Sequence, residues 1–206
     1  MNHVPTLIPL SLLEALRNLD TPVEDGLDEL AGEIVAKRLG LSATVAAQIE
    51  RYQAQVKRGV PVALDEALSV FRLAGRRPDA ALVFADAGRR TARHLARRQP
   101  LLLRGAIRAL PGGLGRRLGA RAARSAARRQ LGVALAVTES GARAESAKPL
   151  SILALPDGSA CGFYGAALSE LLRVLAGFEG AMIHERCRAR GDPLCAWRAT
   201  PVGGYP

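Results

Sequence analysis

The chain has few aromatic residues, few cysteines and no long apolar run. Aromatic residues make up 4% of the 206 residues, too few to suggest a stacking platform for single-stranded nucleic acid. Three cysteines are an odd number and too few for a secreted disulfide framework, so we expect reduced thiols. No uncharged apolar run has the length of about eighteen residues that a membrane span needs, and the N-terminus lacks a basic segment followed by a cleavage site. We expect a soluble cytoplasmic protein.

Acidic residues are absent between positions 87 and 137, although the same stretch contains thirteen arginines. The net charge of +10 is therefore concentrated here. Four of these arginines are spaced by four, three and four residues and share one face of a predicted helix: Arg117, Arg121, Arg124 and Arg128. The other face is predicted to carry Leu114, Leu118 and Ala122. We interpret the basic face either as solvated or as a contact for an anionic ligand or membrane.

Residues 1 to about 130 show helical periodicity. The segment "LIPLSLLEALRNL" places leucines 10, 13 and 16 on one face, and "DGLDELAGEIVAKRLG" repeats the pattern up to Gly40. Ser42 and Gly59 are suited to begin and end the next helix. Two more helices are predicted to open at Pro61 and Pro78, and the arginine-rich segment is predicted to break at Pro111.

From position 131 onward the pattern changes to short β-prone runs. "LGVALAVTE" and "LSILAL" are predicted strands, and "SGARAESAKP" between them carries turn residues. A helix with leucines at 168, 171, 172 and 175 follows, and "GAMIHERCR" and "LCAWRAT" flank an "RGDP" turn as a hairpin. The predicted fold class is α+β: N-terminal helices followed by an antiparallel sheet with a helix and a C-terminal β-hairpin.

All three cysteines lie at predicted element boundaries. Cys187 and Cys195 lie on opposite sides of the hairpin, where antiparallel pairing brings Cα atoms to about 5.5 Å. Cys161 precedes the helix that begins at Gly162, so we expect an exposed thiol at a helix N-terminus, where the thiolate is favoured. Thiolates placed in this way could reach one ion.

A histidine and a glutamate stand just before Cys187. Strict strand alternation places Glu185 on the face that Cys187 shares, whereas a bulge, or the end of the strand at Arg186, would place His184 there. Either residue is an acceptable fourth zinc ligand, and three cysteines with one histidine are a common structural set. The residues by themselves equally allow three buried free thiols, which are common in protein cores.

The segment "GFYGAALSELLRVLAGFEGAMIHERCRARGDPLCAWRAT" resembles the closing segment of the 4-vinyl reductase domain family. The pattern is a cysteine before a Gly-Phe helix start, a strand ending in E-x-x-C, a G-D-P-type turn and a final C-x-F/W. The matching positions here are Cys161, Gly162, Phe163, Cys187, Gly191, Asp192, Pro193, Cys195 and Trp197. The resemblance covers roughly residues 130 to 200, and a looser likeness to the bacteriochlorophyll-biosynthesis branch extends over the arginine-rich segment.

The resemblance implies a structural zinc ion. Family members that sense aromatic effectors hold zinc with three cysteines and the acidic residue of E-x-x-C, and this chain has histidine where the family has glutamate. Histidine is a competent substitute. The implied ligands are Cys161, His184, Cys187 and Cys195, with Glu185 as the alternative to His184.

The resemblance also implies a small-molecule ligand. We expect a binding or carrier protein for a tetrapyrrole in bacteriochlorophyll biosynthesis, with arginine at the mouth of an apolar pocket. Candidate wall residues are Phe71, Leu82, Phe84, Leu135, Phe163 and Tyr164, although a plain core role is the simpler interpretation of each. The alternative function is a module that senses an aromatic effector and acts on a partner protein in trans.

The family name implies a vinyl reductase, but the residues offer no hydride-cofactor motif. "GGLGRRLG" follows a helix rather than a strand, so it does not match a dinucleotide-binding fingerprint. Enzyme status stays open, and we favour a binding protein. The candidate partners besides the ligand are a pigment-biosynthesis enzyme, an anionic membrane surface and a second copy in a homodimer; nucleic acid is disfavoured. The expected divisions are 1–80 (helical), 81–200 (ligand-binding) and 201–206 (tail).

Overall fold

The computed structural model describes residues 2–21, 39–138 and 141–199. The helices in these ranges are α1 (Leu7–Asp20), α2 (Ala43–Arg58), α3 (Leu64–Gly75), α4 (Ala80–Arg97), α5 (Leu101–Ala109), α6 (Gly112–Ala126), α7 (Leu150–Ala154) and α8 (Gly162–Ala176). The strands are β1 (His3–Val4), β2 (Val62–Ala63), β3 (Ala134–Thr138), β4 (Gly141–Ser146), β5 (Ile183–Arg186) and β6 (Cys195–Ala199). The fold is α+β with most helices first, as predicted.

The C-terminal strands form a four-stranded sheet in the order β3-β4-β6-β5, and every neighbouring pair is antiparallel. The predicted C-terminal hairpin is the pair β5–β6. A separate two-stranded ribbon pairs β1 with β2 near the N-terminal helices. The expected antiparallel sheet is therefore confirmed.

Two predictions within the sheet region were wrong. Residues 141–146, predicted as part of a turn, form β4 in the middle of the sheet, with Ala142 and Ala144 buried and Arg143 and Glu145 exposed. This strict alternation is a strand pattern, but alanine, glycine and serine have low β propensity and hide it. Residues 150–154, predicted as a strand, form α7.

Helix α7 forms because its first turn has a suitable entry and a partner for its backbone. Pro149 precedes it in an extended conformation, which suits a helix start. The Leu150 N–H, which has no partner within the helix, donates to the buried Tyr164 hydroxyl at 3.0 Å. This long-range contact cannot be read from the apolar run "LSILAL".

The predicted helix ends of α2 are confirmed. The Ser42 side chain accepts a hydrogen bond from the Val45 N–H, and Gly59 ends the helix in the left-handed conformation at φ 71°. The prediction that Pro61 opens the next helix was wrong. Residues 62–63 form β2 against β1, and α3 begins at Leu64.

Helix α8 lies at the centre of the fold, packed between α4 and α6. Glycine allows both close approaches: a Cβ on Gly88 of α4 would lie 2.3 Å from the Phe163 carbonyl oxygen. A Cβ on Gly119 of α6 would lie 1.7 Å from the Leu175 carbonyl oxygen. The leucines predicted to form the buried face of α8, at positions 168, 171, 172 and 175, are all buried. Buried side chains form one cluster from Val4 to Ala199.

Two segments of the chain for which the sequence makes a prediction lie outside the described ranges. The helix predicted for "DGLDELAGEIVAKRLG" lies there except for residues 39 and 40, which belong to the short 3-10 turn Leu39–Leu41. The tail 201–206 also lies outside the described residues. Among the described helices, none combines the length and the apolar character needed to cross a bilayer.

Candidate metal centre

Two of the three cysteines are brought together by the turn between β5 and β6. Cys187 follows β5 directly, and Cys195 is the first residue of β6. A 3-10 turn over Arg188–Arg190 follows Cys187 and ends at Gly191 with φ 90°. The Asp192 carboxylate accepts a hydrogen bond from the Cys187 N–H at 2.8 Å, and this closes the turn. The Gly-Asp-Pro element of the sequence therefore fixes the path of the chain between the two thiols.

The third cysteine comes from the N-terminus of α8. Cys161 ends a 3-10 turn that starts after Gly158, which has φ +80°. A Cβ on Gly158 would lie 3.0 Å from the Cys187 sulfur, and the backbone of any other residue would be strained at this positive φ. The loop can therefore pack on the hairpin only with glycine there. The Cys161 sulfur also lies 3.3 Å from the Ser151 hydroxyl of α7.

A β-bulge decides which of two neighbouring residues faces the cysteines. His184 pairs with Trp197 and Arg186 pairs with Ala196, so Glu185 is the extra residue on β5. The Glu185 carboxylate instead accepts a hydrogen bond from the exposed Arg198 side chain. The structure thus brings His184 to the cysteines and leaves Glu185 outside, the outcome that a bulge was expected to produce.

The four side chains form one compact cluster. The ligand atoms of Cys161, His184, Cys187 and Cys195 all lie within 4.8 Å of one another. Tetrahedral zinc with bonds of about 2.0–2.3 Å separates its ligand atoms by roughly 3.3–3.8 Å, so only a small contraction is required. The three cysteines are 2%, 4% and 0% exposed and none forms a disulfide. The cluster could hold a metal ion such as zinc.

Burial shifts the pKa values of the cluster toward the neutral forms of its side chains. Burial raises the pKa of the Cys161 thiol to about 12 and also raises the pKa of the Cys195 thiol. The expectation of an exposed thiolate at Cys161 was therefore wrong, because the residue is buried despite its place at a helix N-terminus. Burial and the nearby Arg190 charge lower the pKa of His184, which keeps the imidazole in its neutral, metal-binding form.

Hydrogen bonding in the cluster fits the same interpretation. Nε2 of His184 is buried and has no hydrogen-bond partner among the described residues. A buried polar atom without a partner is costly, and a metal ion is a partner that imidazole nitrogen accepts well. The Arg188 N–H lies 3.5 Å from the Cys195 sulfur, where it would stabilise a metal-bound thiolate.

A cavity of about 360 Å³ borders the cluster, and we call it the cluster cavity. The residues that line it include Cys161, Gly165, Ser169, Met182, His184 and Trp197. Arg89 and Arg173 also line it. Trp197 is 1% exposed, and its indole N–H has no hydrogen-bond partner among the described residues. Glu170 lines the cavity as well and pairs with Arg173, so the cavity combines one unpartnered donor, two arginines and one carboxylate.

The aromatic residues considered as pocket walls form a continuous row in the core. Ring centroids lie 5.9 Å apart for Phe84 and Phe71, 5.5 Å for Phe71 and Phe163, and 5.3 Å for Phe163 and Tyr164. These four rings are fully buried, and Leu135 is 4% exposed. None of the five lines the cluster cavity, and Leu82 is 61% exposed. Packing against one another accounts for the burial of the four rings.

The arginines predicted to share a face are all exposed. Arg117, Arg121 and Arg124 lie on α6, and Arg128 lies in the single π-helical turn that follows. Ala122 on the other face is buried, whereas Leu114 is 57% exposed, because α6 meets α8 through small residues nearer its middle. Anion binding by this face stays a prediction.

Comparison with known proteins adds no relative: no family model, no curated protein and no solved structure matches this chain. The likeness to the 4-vinyl reductase domain family is therefore a resemblance of motifs. The site itself is defined by its geometry, a buried cluster of three cysteines and one histidine at the junction of a hairpin and a helix.

Proposed function

We propose that this chain is a small-molecule-binding module whose fold is stabilised by a structural zinc ion. The observation that carries the proposal is the buried Cys3His cluster, because this donor set is one that structural zinc sites use. Four protein ligands leave no open coordination position. The ion would therefore support folding, and it would not act on a substrate.

The cluster lies where a bound metal ion would connect two separate parts of the fold. The hairpin β5–β6 forms one side of the sheet, and its short strand β5 lies at the sheet edge. Through Cys161 the ion would tie this hairpin to the N-terminus of α8, the helix at the centre of the fold. A metal bound only by the folded chain adds its binding free energy to stability.

The ligand we propose is a tetrapyrrole with a carboxylate, bound as part of bacteriochlorophyll biosynthesis. The resemblance of motifs supports this choice, and the cluster cavity supports binding at that place. The Trp197 N–H could donate to an acceptor on the ligand, and Arg89 could pair with its carboxylate. The alternative is an aromatic-effector sensor that acts in trans. The cavity volume of about 360 Å³ lies near the lower end of ligand sites and favours a smaller aromatic ligand.

Absorbance and fluorescence titrations separate these ligands. The purified protein would be titrated with a protochlorophyllide-type pigment and, separately, with phenol as a monocyclic probe. Arg89→Gln should weaken binding of the carboxylate-bearing pigment, whereas Arg129→Gln makes the same charge change at an exposed position outside the cavity. Trp197→Phe should weaken the binding of either ligand if that ligand accepts a hydrogen bond from the indole N–H. Saturable pigment binding supports the carrier function, phenol binding alone supports the sensor, and binding of neither contradicts the proposal.

A further inference from the structure

A second cavity, of about 290 Å³, lies between α4, α5 and α8 and is lined by five arginines and one acidic residue. We call it the arginine cavity. Its charged residues are Arg93, Arg97, Arg104, Arg108, Arg173 and Glu170. They come from the consecutive helices α4 and α5 and from α8, which is distant in sequence. The set differs from the exposed face of α6, which the sequence pattern singled out.

Only two of the five arginines have an anionic partner. Glu170 accepts hydrogen bonds from Arg93 at 2.7 Å and from Arg173 at 2.8 Å. Within the described part of the chain, the guanidinium groups of Arg97, Arg104 and Arg108 form no hydrogen bond or ion pair. Arg104 is half-buried although its guanidinium group has no such partner. Three cationic groups therefore converge on a cavity that supplies no further carboxylate.

The remaining surroundings of the cavity are apolar. Ile107, Val174 and Leu175 line it beside the arginines. Helix α5, which forms one wall, has no buried residue, and its first two leucines, Leu101 and Leu102, are 79% and 89% exposed. Large exposed leucines next to a cationic site are typical of helices that lie in a membrane interface.

We propose that the arginine cavity binds the phosphate group of an anionic phospholipid headgroup, with α5 lying against the bilayer surface. Guanidinium groups match the planar, bidentate contacts that phosphate oxygens accept. The exposed leucines of α5 would enter the interface, and the acid-free arginine-rich stretch would be attracted to the negative membrane surface. Duplex nucleic acid offers the same phosphate groups but no apolar phase for Leu101 and Leu102.

Vesicle flotation tests the site with a matched pair of variants. The protein would be mixed with phosphatidylcholine vesicles, with or without phosphatidylglycerol. The variant R97Q/R104Q/R108Q removes three charges from the cavity, and R121Q/R124Q/R128Q removes three charges from the exposed face of α6. We expect binding only to the vesicles that contain phosphatidylglycerol. The cavity variant should lose about tenfold or more affinity for these vesicles beyond the loss that its control shows.

A second arm separates a lipid headgroup from a soluble phosphate. Inorganic phosphate would be titrated against the protein by calorimetry, and L101S/L102S would be tested in both assays. We expect L101S/L102S to lose vesicle binding and to keep phosphate binding. Phosphate binding without vesicle binding would overturn the lipid source. Equal losses of vesicle affinity in the two arginine variants would overturn the proposed lipid site. Tighter binding to duplex DNA than to vesicles would overturn it as well. Pigment binding should not change in R97Q/R104Q/R108Q, which keeps this result distinct from the ligand titrations.

Discussion

The imidazole of His184 stacks on the indole of Trp197, with ring centroids 5.0 Å apart and ring planes 16° apart. Trp197 in turn lies 5.4 Å from Tyr164, which belongs to the aromatic row of the core. The cluster is thus joined to the core through the rings as well as through α8. A metal ion on His184 would fix the outer end of this row.

The first prediction uses Trp197, the single tryptophan of the chain, as a reporter of metal binding. Removing zinc with a chelator should change the intensity or the emission maximum of its fluorescence, because the stacked imidazole loses its constraint. Adding zinc back should restore the signal. His184→Ala should abolish the response. An emission spectrum that is the same with and without metal would contradict the contact between the site and this ring.

The second prediction compares His184→Ala with Glu185→Ala. Loss of His184 should weaken zinc binding, because it leaves three ligands, whereas loss of Glu185 should leave the zinc affinity unchanged. Among the described residues the Glu185 carboxylate pairs with the exposed Arg198, and such a pair is worth about 0–1 kcal/mol of unfolding free energy. Competition with a chromogenic zinc chelator measures both affinities. Weaker binding in Glu185→Ala alone would reverse the ligand assignment.

The third prediction concerns the contact of α6 with α8. Gly119→Ala places a Cβ against the Leu175 carbonyl oxygen, a backbone atom that cannot rotate away, and should lower the free energy of unfolding by about 3 kcal/mol. Gly113→Ala is the control in the same helix, because its Cβ would meet nothing within 4 Å. It should be neutral or stabilising by about 0.5 kcal/mol. Urea denaturation of the two variants checks the difference.

The fourth prediction concerns Glu170, which joins α4 to α8. Hydrogen bonds from Arg173 and Arg93 lower its pKa from 4.5 to about 2. A lowered folded-state pKa gives stability that is present above about pH 4.5 and is lost as the pH falls toward 2. Glu170→Gln should therefore destabilise by about 1–3 kcal/mol near neutral pH and by progressively less in acid.

Denaturation of wild type and Glu170→Gln across this pH range measures the effect. Both proteins would release a thiolate-bound metal over the same pH range. The difference between their free energies of unfolding therefore isolates the contribution of the Glu170 carboxylate. Glu145→Gln, at an exposed position on β4, is the control and should show no such trend. A difference between wild type and Glu170→Gln that does not vary with pH would contradict the predicted role.

Local sequence signals predicted the two ends of α2 and the C-terminal hairpin correctly. Ser42 and Gly59 work through short-range hydrogen bonds and backbone preference, so their effect is visible in the sequence. Cys187 and Cys195 are brought together by a short turn, and this too is a local event. Such features depend on few residues and hardly on the rest of the fold.

Features that depend on distant partners could not be predicted in this way. Strand β4 is held by pairing with β3 and β6, and this outweighs the weak β propensity of its alanines. The bulge at Glu185 depends on the register between β5 and β6, and sequence left the fourth ligand open for that reason. The arginine cavity brings together residues more than sixty positions apart, such as Arg108 and Arg173.

The most direct test is the zinc content of the purified protein, measured together with the reactivity of its three thiols. We predict one zinc per chain and three thiols protected from a thiol reagent under native conditions until a chelator is added. Cys187→Ser should lose the zinc and unfold about 5–10 °C lower. Protein without stoichiometric zinc, whose three thiols all react freely in the native state, would contradict the metal centre.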